Sequence, residues 1–318
     1  MVLENRHRHE RDACIRFFPD NHTYVITRGE HEEVAPVSVT SFCKDYFTQF
    51  NPRKVVDQNY DKWKSNPKSK YFANIQASLK EGSTDEMAKQ AIIDTWASVG
   101  REASAAGTDM HARAELYFNG VGVMDADDRE MHMLQTWFNG ESEKGWREYR
   151  TEMPLWWDEP RLDGRITVAG TLDFLMVRDT QTPSETDVAS TVAGKEYALV
   201  DFKRTNPARK YKGGPPNLLG PSTNSWFAPG FAKAPLTEVE DSKYGAYCMQ
   251  LNVLAKMLRE RYGIDVGNRM YLLQIHEDMK EAHCVRVPEY REATNALFAI
   301  EAEKRRLKDE NRDKRHKH

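Results

Sequence analysis

The stretch that decides the fold is YALVDFKRTN, Tyr197–Asn206. Here an apolar, strand-like run presents an acid, Asp201, and a base, Lys203, two residues apart. Successive side chains of a strand point to opposite faces, so Leu199, Asp201 and Lys203 share one face while Ala198, Val200 and Phe202 share the other. One face packs and the other carries paired charge. Taken alone, Asp-x-Lys is a common solvated pair, and it recurs at Asp241 with Lys243 and at Asp278 with Lys280. Its meaning therefore depends on what surrounds it.

Upstream, TEMPLWW (Thr151–Trp157) and RITVAGTLDFLMVRD (Arg165–Asp179) read as further strands, with a polar hairpin-like insertion from Thr180 to Lys195 before the central one. Downstream, NRMYLLQIHED and AHCVRVPEY read as a closing hairpin. Between these strands DSKYGAYCMQLNVLAKMLRERYG has helical period: Tyr247, Leu251, Leu254 and Leu258 form an apolar stripe, Gln250 lies on that side, and Gly263 supplies a stop. The segment from about Thr84 to Tyr149 has a helical pattern punctuated by glycines. Nearer the start, NHTYVITRG reads as a short strand, and VAPVSVTSFCKDYF as a helix entered through Ser38–Ser41. The resulting class is α/β (α+β): a central mixed sheet flanked by helices, with an N-terminal helical layer. The boundaries predicted are 1–100 for an N-terminal strand and helical region packing on the core, 101–300 for the core, and 301–318 for a charged, frayed tail.

At 318 residues the chain can bury a substantial core. A formal net charge of −3 means that affinity for nucleic acid has to come from a local basic patch. Cys14, Cys43, Cys248 and Cys284 are scattered singly, which argues against a zinc ribbon and reads as buried thiols in a reducing interior. No apolar run has membrane-spanning length and MVLENRHRHERD is polar throughout, so a soluble intracellular protein without a membrane partner is expected, its compartment open. Oligomeric state is not legible.

The order of the polar residues carries chemistry. Asp173 stands on one strand, Asp201 and Lys203 on the next, and Gln250 on the following helix. These groups can converge at one end of a sheet. Two carboxylates suit a hard cation such as Mg²⁺, which prefers oxygen ligands. An adjacent ammonium can orient and help deprotonate a water, or neutralise charge that builds on a phosphate.

The run GTLDFL, LVDFKRT and YCMQLNVL, preceded by GTDMHARAE, resembles the PD-(D/E)XK nuclease superfamily. Within it the chain is most similar to the branch that holds lambda exonuclease, the nuclease domains of bacterial recombination enzymes and the mitochondrial genome maintenance exonuclease, and to uncharacterised viral and protist members. The resemblance spans roughly residues 107–271. It implies a restriction-endonuclease-like core and a Mg²⁺- or Mn²⁺-dependent nuclease, an exonuclease in DNA replication, repair or recombination. The implied centre is Asp173, Asp201, Lys203 and Gln250, with Glu152 as a third carboxylate and the carbonyl of Phe202 as a further metal ligand. His111 matches the family's histidine, as a metal or substrate contact. The cysteine grouping of iron–sulfur members is missing, so no such cluster is expected. The Pro of the superfamily name is absent before Asp173, where AGTLD stands.

Each residue also has a bland reading: a surface ion pair for Asp201 and Lys203, a structural amide for Gln250, a surface pair for His111 and Glu115, a strand-surface acid for Glu152, core for Trp156 and Trp157. Rival functions are a non-catalytic nucleic-acid-binding module of the same fold, and a nuclease acting on RNA. The segment 204–240, with six Pro and four Gly, opens with Arg204, Arg209, Lys210 and Lys212. A long irregular segment leaving the catalytic strand reads as a functional loop that grips DNA phosphates. Neutralising Arg209, Lys210 and Lys212 together should then weaken DNA binding and flatten its salt dependence by roughly 2 to 3 in log–log slope. A wild-type slope in that triple variant would make the loop a linker.

Overall fold

The computed structural model describes residues 2–18, 23–28, 31–34, 37–122, 125–162, 164–180, 194–207, 218–222 and 230–315. Two compact units result, one formed by Met1–Thr48 with Met110–His318 and the other by Gln49–Asp109. The first unit opens with helix α1 (Leu3–Arg6) and a three-stranded antiparallel sheet, β1 (Ile15–Phe18), β2 (Thr23–Arg28) and β3 (His31–Val34). Ile15, Tyr24 and Ile26 of this sheet pack on Trp156 and Ala169. Helix α2 (Val39–Lys44) starts as its sequence directs, with Ser38 Oγ accepting from the amide of Ser41. Residues 1–48 thus fold with the core and part company with the helices that follow them.

The second unit holds α3 (Pro52–Ser65), α4 (Phe72–Lys80) and the first part of α5 (Asp85–Phe118). Its core is Val56, Tyr60, Ile75, Ala88 and Ile92. Glycine at 100 and 107 suggests helix ends, yet α5 runs through both in 34 residues. Neither glycine has positive φ, and the alanines around them favour continuation, so the glycines weaken the helix without ending it.

Helix α6 (Arg129–Ser142) leads into the main sheet, whose order is β4 (Arg147–Glu159), β5 (Arg165–Asp179), β6 (Lys195–Arg204), β7 (Met270–Ile275), β8 (His283–Arg286). The pairs β4/β5, β5/β6 and β7/β8 are antiparallel, while β6/β7 is parallel and is bridged by α7 (Lys243–Arg261). Helices cover both faces. Leu199 joins α7 and α8 (Arg291–Arg315) in one core layer, through residues such as Leu251, Leu254 and Phe298. Ala198, Val200 and Phe202 join Met110, Phe118 and Phe138 in the other. The alternation read from the sequence is borne out at β6, and so is the mixed sheet between helices.

Two expectations change. The charged end of the chain is helical as far as Arg315, supported by the i,i+4 pairs Arg305–Glu301 and Arg306–Glu310. Cys43 and Cys248 are buried, but Cys284 is exposed on β8, because the edge strand turns alternate residues to solvent. No helix among the described residues is long and apolar enough to cross a membrane.

Gly245, in the first turn of α7, lies so close to the carbonyl of Glu240 that an added Cβ would overlap it. Backbone cannot swing aside as a side chain does. Gly245→Ala should therefore cost about 1–3 kcal/mol, read as a lower urea midpoint with an unchanged slope.

Candidate active site

The β5–β6 ladder ends at Phe174↔Val200, although β6 runs on to Arg204 and stays paired with β7 through that end. Beyond Val200 the two strands diverge. The backbone groups of Phe202 that would have met β5 find side chains instead: its amide donates to Asp173 Oδ2 at 2.7 Å, and its carbonyl lies 3.1 Å from His111 Nε2. The site occupies this fork.

Asp173 is delivered to the fork by a break in strand alternation. Leu172 and Leu175 lie in the same core layer although three residues apart, and Phe174 lies in the other. Across the ladder, Thr151↔Phe174 and Met153↔Leu172 flank the two acids, so Glu152 stands opposite Asp173. Glu152 is the one non-glycine residue with positive φ among the described residues, at 42°. Such a conformation costs on the order of 1–3 kcal/mol and persists only where the surroundings hold it. Arg150 helps to hold it: this buried side chain donates to Asp12 Oδ2 at 2.7 Å and to the carbonyl of His7 at 3.0 Å.

His111, near the end of α5, knits the cluster. Its Nδ1 is 3.3 Å from Glu152 Oε1 and 3.6 Å from Asp173 Oδ2, while Nε2 faces the carbonyl. Both ring nitrogens face acceptors, which requires the doubly protonated imidazolium. Burial opposes that charge, but Asp173, Glu152 and Asp201 outweigh it and raise His111 to about 9. One donor atom from each of His111, Glu152 and Asp173 lies within 4.8 Å of the other two.

Asp201 and Lys203 form an ion pair at 2.5 Å on the α7 side of β6. Burial pushes Asp201 up to about 6 against the pull of Lys203, with Asp173 adding to the rise, and burial likewise raises Asp173. Burial disfavours the ammonium of Lys203, yet Asp201 and Asp173 outweigh it, so Lys203 titrates above its usual value. Buried Asp201 Oδ2 has the Lys203 ammonium, 2.5 Å away, as its partner. Carboxylates gathered beside a backbone carbonyl are a donor set that suits a hard divalent cation. Protonated, His111 donates to these oxygens; neutral, its ring nitrogen joins Glu152 and Asp173 as a donor set that can hold a metal ion.

The other expected residues are placed unevenly. Gln250 is half-buried on α7, and no hydrogen bond of its side chain occurs among the described residues. It lies one turn beyond Tyr247, over whose ring Lys203 Nζ sits at 4.6 Å. Arg204 points to the opposite face from Lys203, where it is bound to buried Glu130 at 2.8 Å and to Glu277 at 2.9 Å. Arg209, Lys210 and Lys212 lie outside the described residues.

Two residues escaped the sequence reading. Tyr247 presents its ring to Lys203 and, at 5.7 Å, to Lys243. Gln274, wholly buried on β7 beside Lys203, donates to the carbonyl of Thr205 and accepts from the amide of Leu219, tying together two points of the segment that leaves the site. A lone amide in the apolar run YLLQI was the available signal. Neither a protein-family model nor a curated protein matches the chain in sequence.

Removing the Asp173 carboxylate strands the buried amide of Phe202, so Asp173→Ala should lose about 1–3 kcal/mol in chemical denaturation. Asp173→Asn keeps an acceptor and should lose less. Glu152→Asn should hold stability within about 1 kcal/mol of the parent, because asparagine tolerates positive φ.

Proposed function

We propose that this chain is a metal-dependent nuclease with a restriction-endonuclease-like core, and more narrowly a Mg²⁺- or Mn²⁺-dependent exonuclease of the PD-(D/E)XK kind that hydrolyses phosphodiester bonds in DNA. One observation carries the reading: three carboxylates, Glu152, Asp173 and Asp201, gather with Lys203 around a fork in the sheet. The strand order antiparallel, antiparallel, parallel, with helices on both faces, supports it.

The holders of the cation would be Asp173, Asp201, Glu152 and the carbonyl of Phe202, whose second lone pair His111 leaves free. When bound, the cation supplies Lewis-acid polarisation of the phosphate and a more acidic water. The chain's own part rests on charge. Lys203, raised by Asp201 and Asp173 against its burial, keeps its proton at neutral pH. That favours stabilising negative charge on the phosphate, or orienting the attacking water, over taking the water's proton. Tyr247 holds the ammonium in place by its ring face, and Gln250, one turn further along α7, is the amide next available to substrate.

Charge-stabilising donors of this type are worth about 10²–10³ in turnover. Lys203→Ala should therefore lose at least that factor on end-labelled DNA, and chelation by EDTA should abolish cleavage. Because Asp201 would be left buried and unpaired in that variant, Lys203→Arg is the companion: it keeps the charge and the fold but misplaces the donor. Single-stranded, blunt duplex, circular and RNA substrates, each in Mg²⁺, Mn²⁺ and EDTA, separate exonuclease from endonuclease and DNA from RNA. Undiminished turnover in both Lys203 variants would sink the assignment. DNA binding without metal-dependent cleavage would favour a binding module.

A further inference from the structure

The helical unit Gln49–Asp109 holds a groove of about 670 Å³ between α4 and α5 that the hydrolytic site does not use. Tyr71 and Trp96 form its aromatic lining, joined by a hydrogen bond from Trp96 Nε1 to the Tyr71 hydroxyl at 3.1 Å. Asn74, Ser78 and Thr95 add polar groups, and Lys70 is the only charged residue in the lining. Lys70 Nζ lies 4.8 Å from the Tyr71 ring centre. Trp63 extends the aromatic set at 4.4 Å from Tyr71, and Phe50 at 5.7 Å from Trp96.

A closed hydrophobic core explains only part of this. Phe50, which touches the lining through Trp96, is 69% exposed, and Val99, in the lining, 59%. Between residues 51 and 80 seven Lys and Arg stand against two acids, Asp57 and Asp61. Arg53 and Lys64 are taken up by Asp57, Asp85 and Glu86. Lys54, Lys62, Lys68, Lys70 and Lys80 are all exposed and have no ion pair among the described residues. Beyond that stretch Asp94 and Glu102 of α5 keep their negative charge, bonded only to the neutral Gln90 and Ser98, and Glu81 is exposed.

We propose that this groove binds a single-stranded polynucleotide, its bases stacked on Tyr71 and Trp96 with Phe50 at their side, and its phosphates held by Lys70 in the lining and by Lys68, two residues away in the chain. Aromatic faces flanked by cations are what an unpaired strand requires, since every base has a π-face and every linkage a negative charge. An apolar helix from a protein partner would fill the groove but leave those lysines without a role. The proposal deepens the nuclease reading, by adding a substrate-holding surface, but it does not depend on cleavage.

The test uses the full chain in EDTA, with fluorescence anisotropy of labelled oligothymidine and oligouridine across a salt series. Phe50, Lys68 and Lys70 are exposed, so their variants should fold, as circular dichroism would verify. Lys68→Ala with Lys70→Ala should lower the log–log salt slope by about 1.4. Phe50→Ala should weaken binding about tenfold, with Phe50→Trp restoring it. Lys144→Ala, on an exposed lysine elsewhere, should change neither. Comparing the two oligonucleotides decides between DNA and RNA. Wild-type affinity and slope in all the groove variants would overturn the proposal. So would failure to bind either oligonucleotide while an amphipathic helical peptide binds and is weakened by Phe50→Ala. Metal-dependent cleavage with unaltered groove variants would remove this proposal alone, whereas groove-dependent binding without cleavage would remove only the nuclease reading.

Discussion

The hydrogen bond from the Phe202 amide to Asp173 Oδ2 makes the parting of β5 from β6 tolerable. A buried strand that loses its neighbour leaves amides and carbonyls unpaired, each costing about 1–3 kcal/mol. Asp173 takes the amide and His111 takes the carbonyl, so the sheet can open there without that penalty. The opening lets Glu152, Asp173 and Asp201 approach each other from adjacent strands. A continuous ladder would have closed the same space with backbone.

Charge balance within the fork follows from that arrangement. Buried carboxylates repel, and the two cations, His111 and Lys203, restrain them from opposite faces of the sheet. The imidazolium comes from α5 and the ammonium from β6, so helix and strand are joined through the acids they share. Close acids raise His111 and Lys203 against their burial, whereas burial itself raises Asp201 against the pull of Lys203. Perturbed groups and a strained backbone at Glu152 thus fall in one place, a combination that recurs at functional sites and also in structural ion-pair networks.

The flanking residues show how the scaffold supports the site. Glu130 on α6 binds Arg113 of α5 and Arg204 of β6, pinning the helix of His111 to the strand of Lys203. Arg204 follows Lys203 directly, which made it a natural phosphate contact on sequence grounds. Strand alternation instead turns it to the other face, where a buried acid engages it. The two lookalike motifs also part ways: Asp241 accepts from Thr48 and Asp278 from Asn206, and neither pairs with the lysine two residues on.

The sequence by itself determined β2 and the five strands of the main sheet, though not β1 or β3, the alternation at β6, the capped entry to α2, and the chain order of Asp173, Asp201, Lys203 and Gln250. All of these are local, because periodicity, capping and residue order are carried by neighbours in the chain. Only the tertiary structure decided that β5 and β6 diverge after Val200, that Glu152 adopts positive φ opposite Asp173, that three acids crowd His111 and raise it, and that Gln274 ties down the departing segment. Each depends on groups far apart in sequence, such as His111 and Phe202, meeting in a buried space. There desolvation and unpaired backbone set the energies, and no local pattern records them.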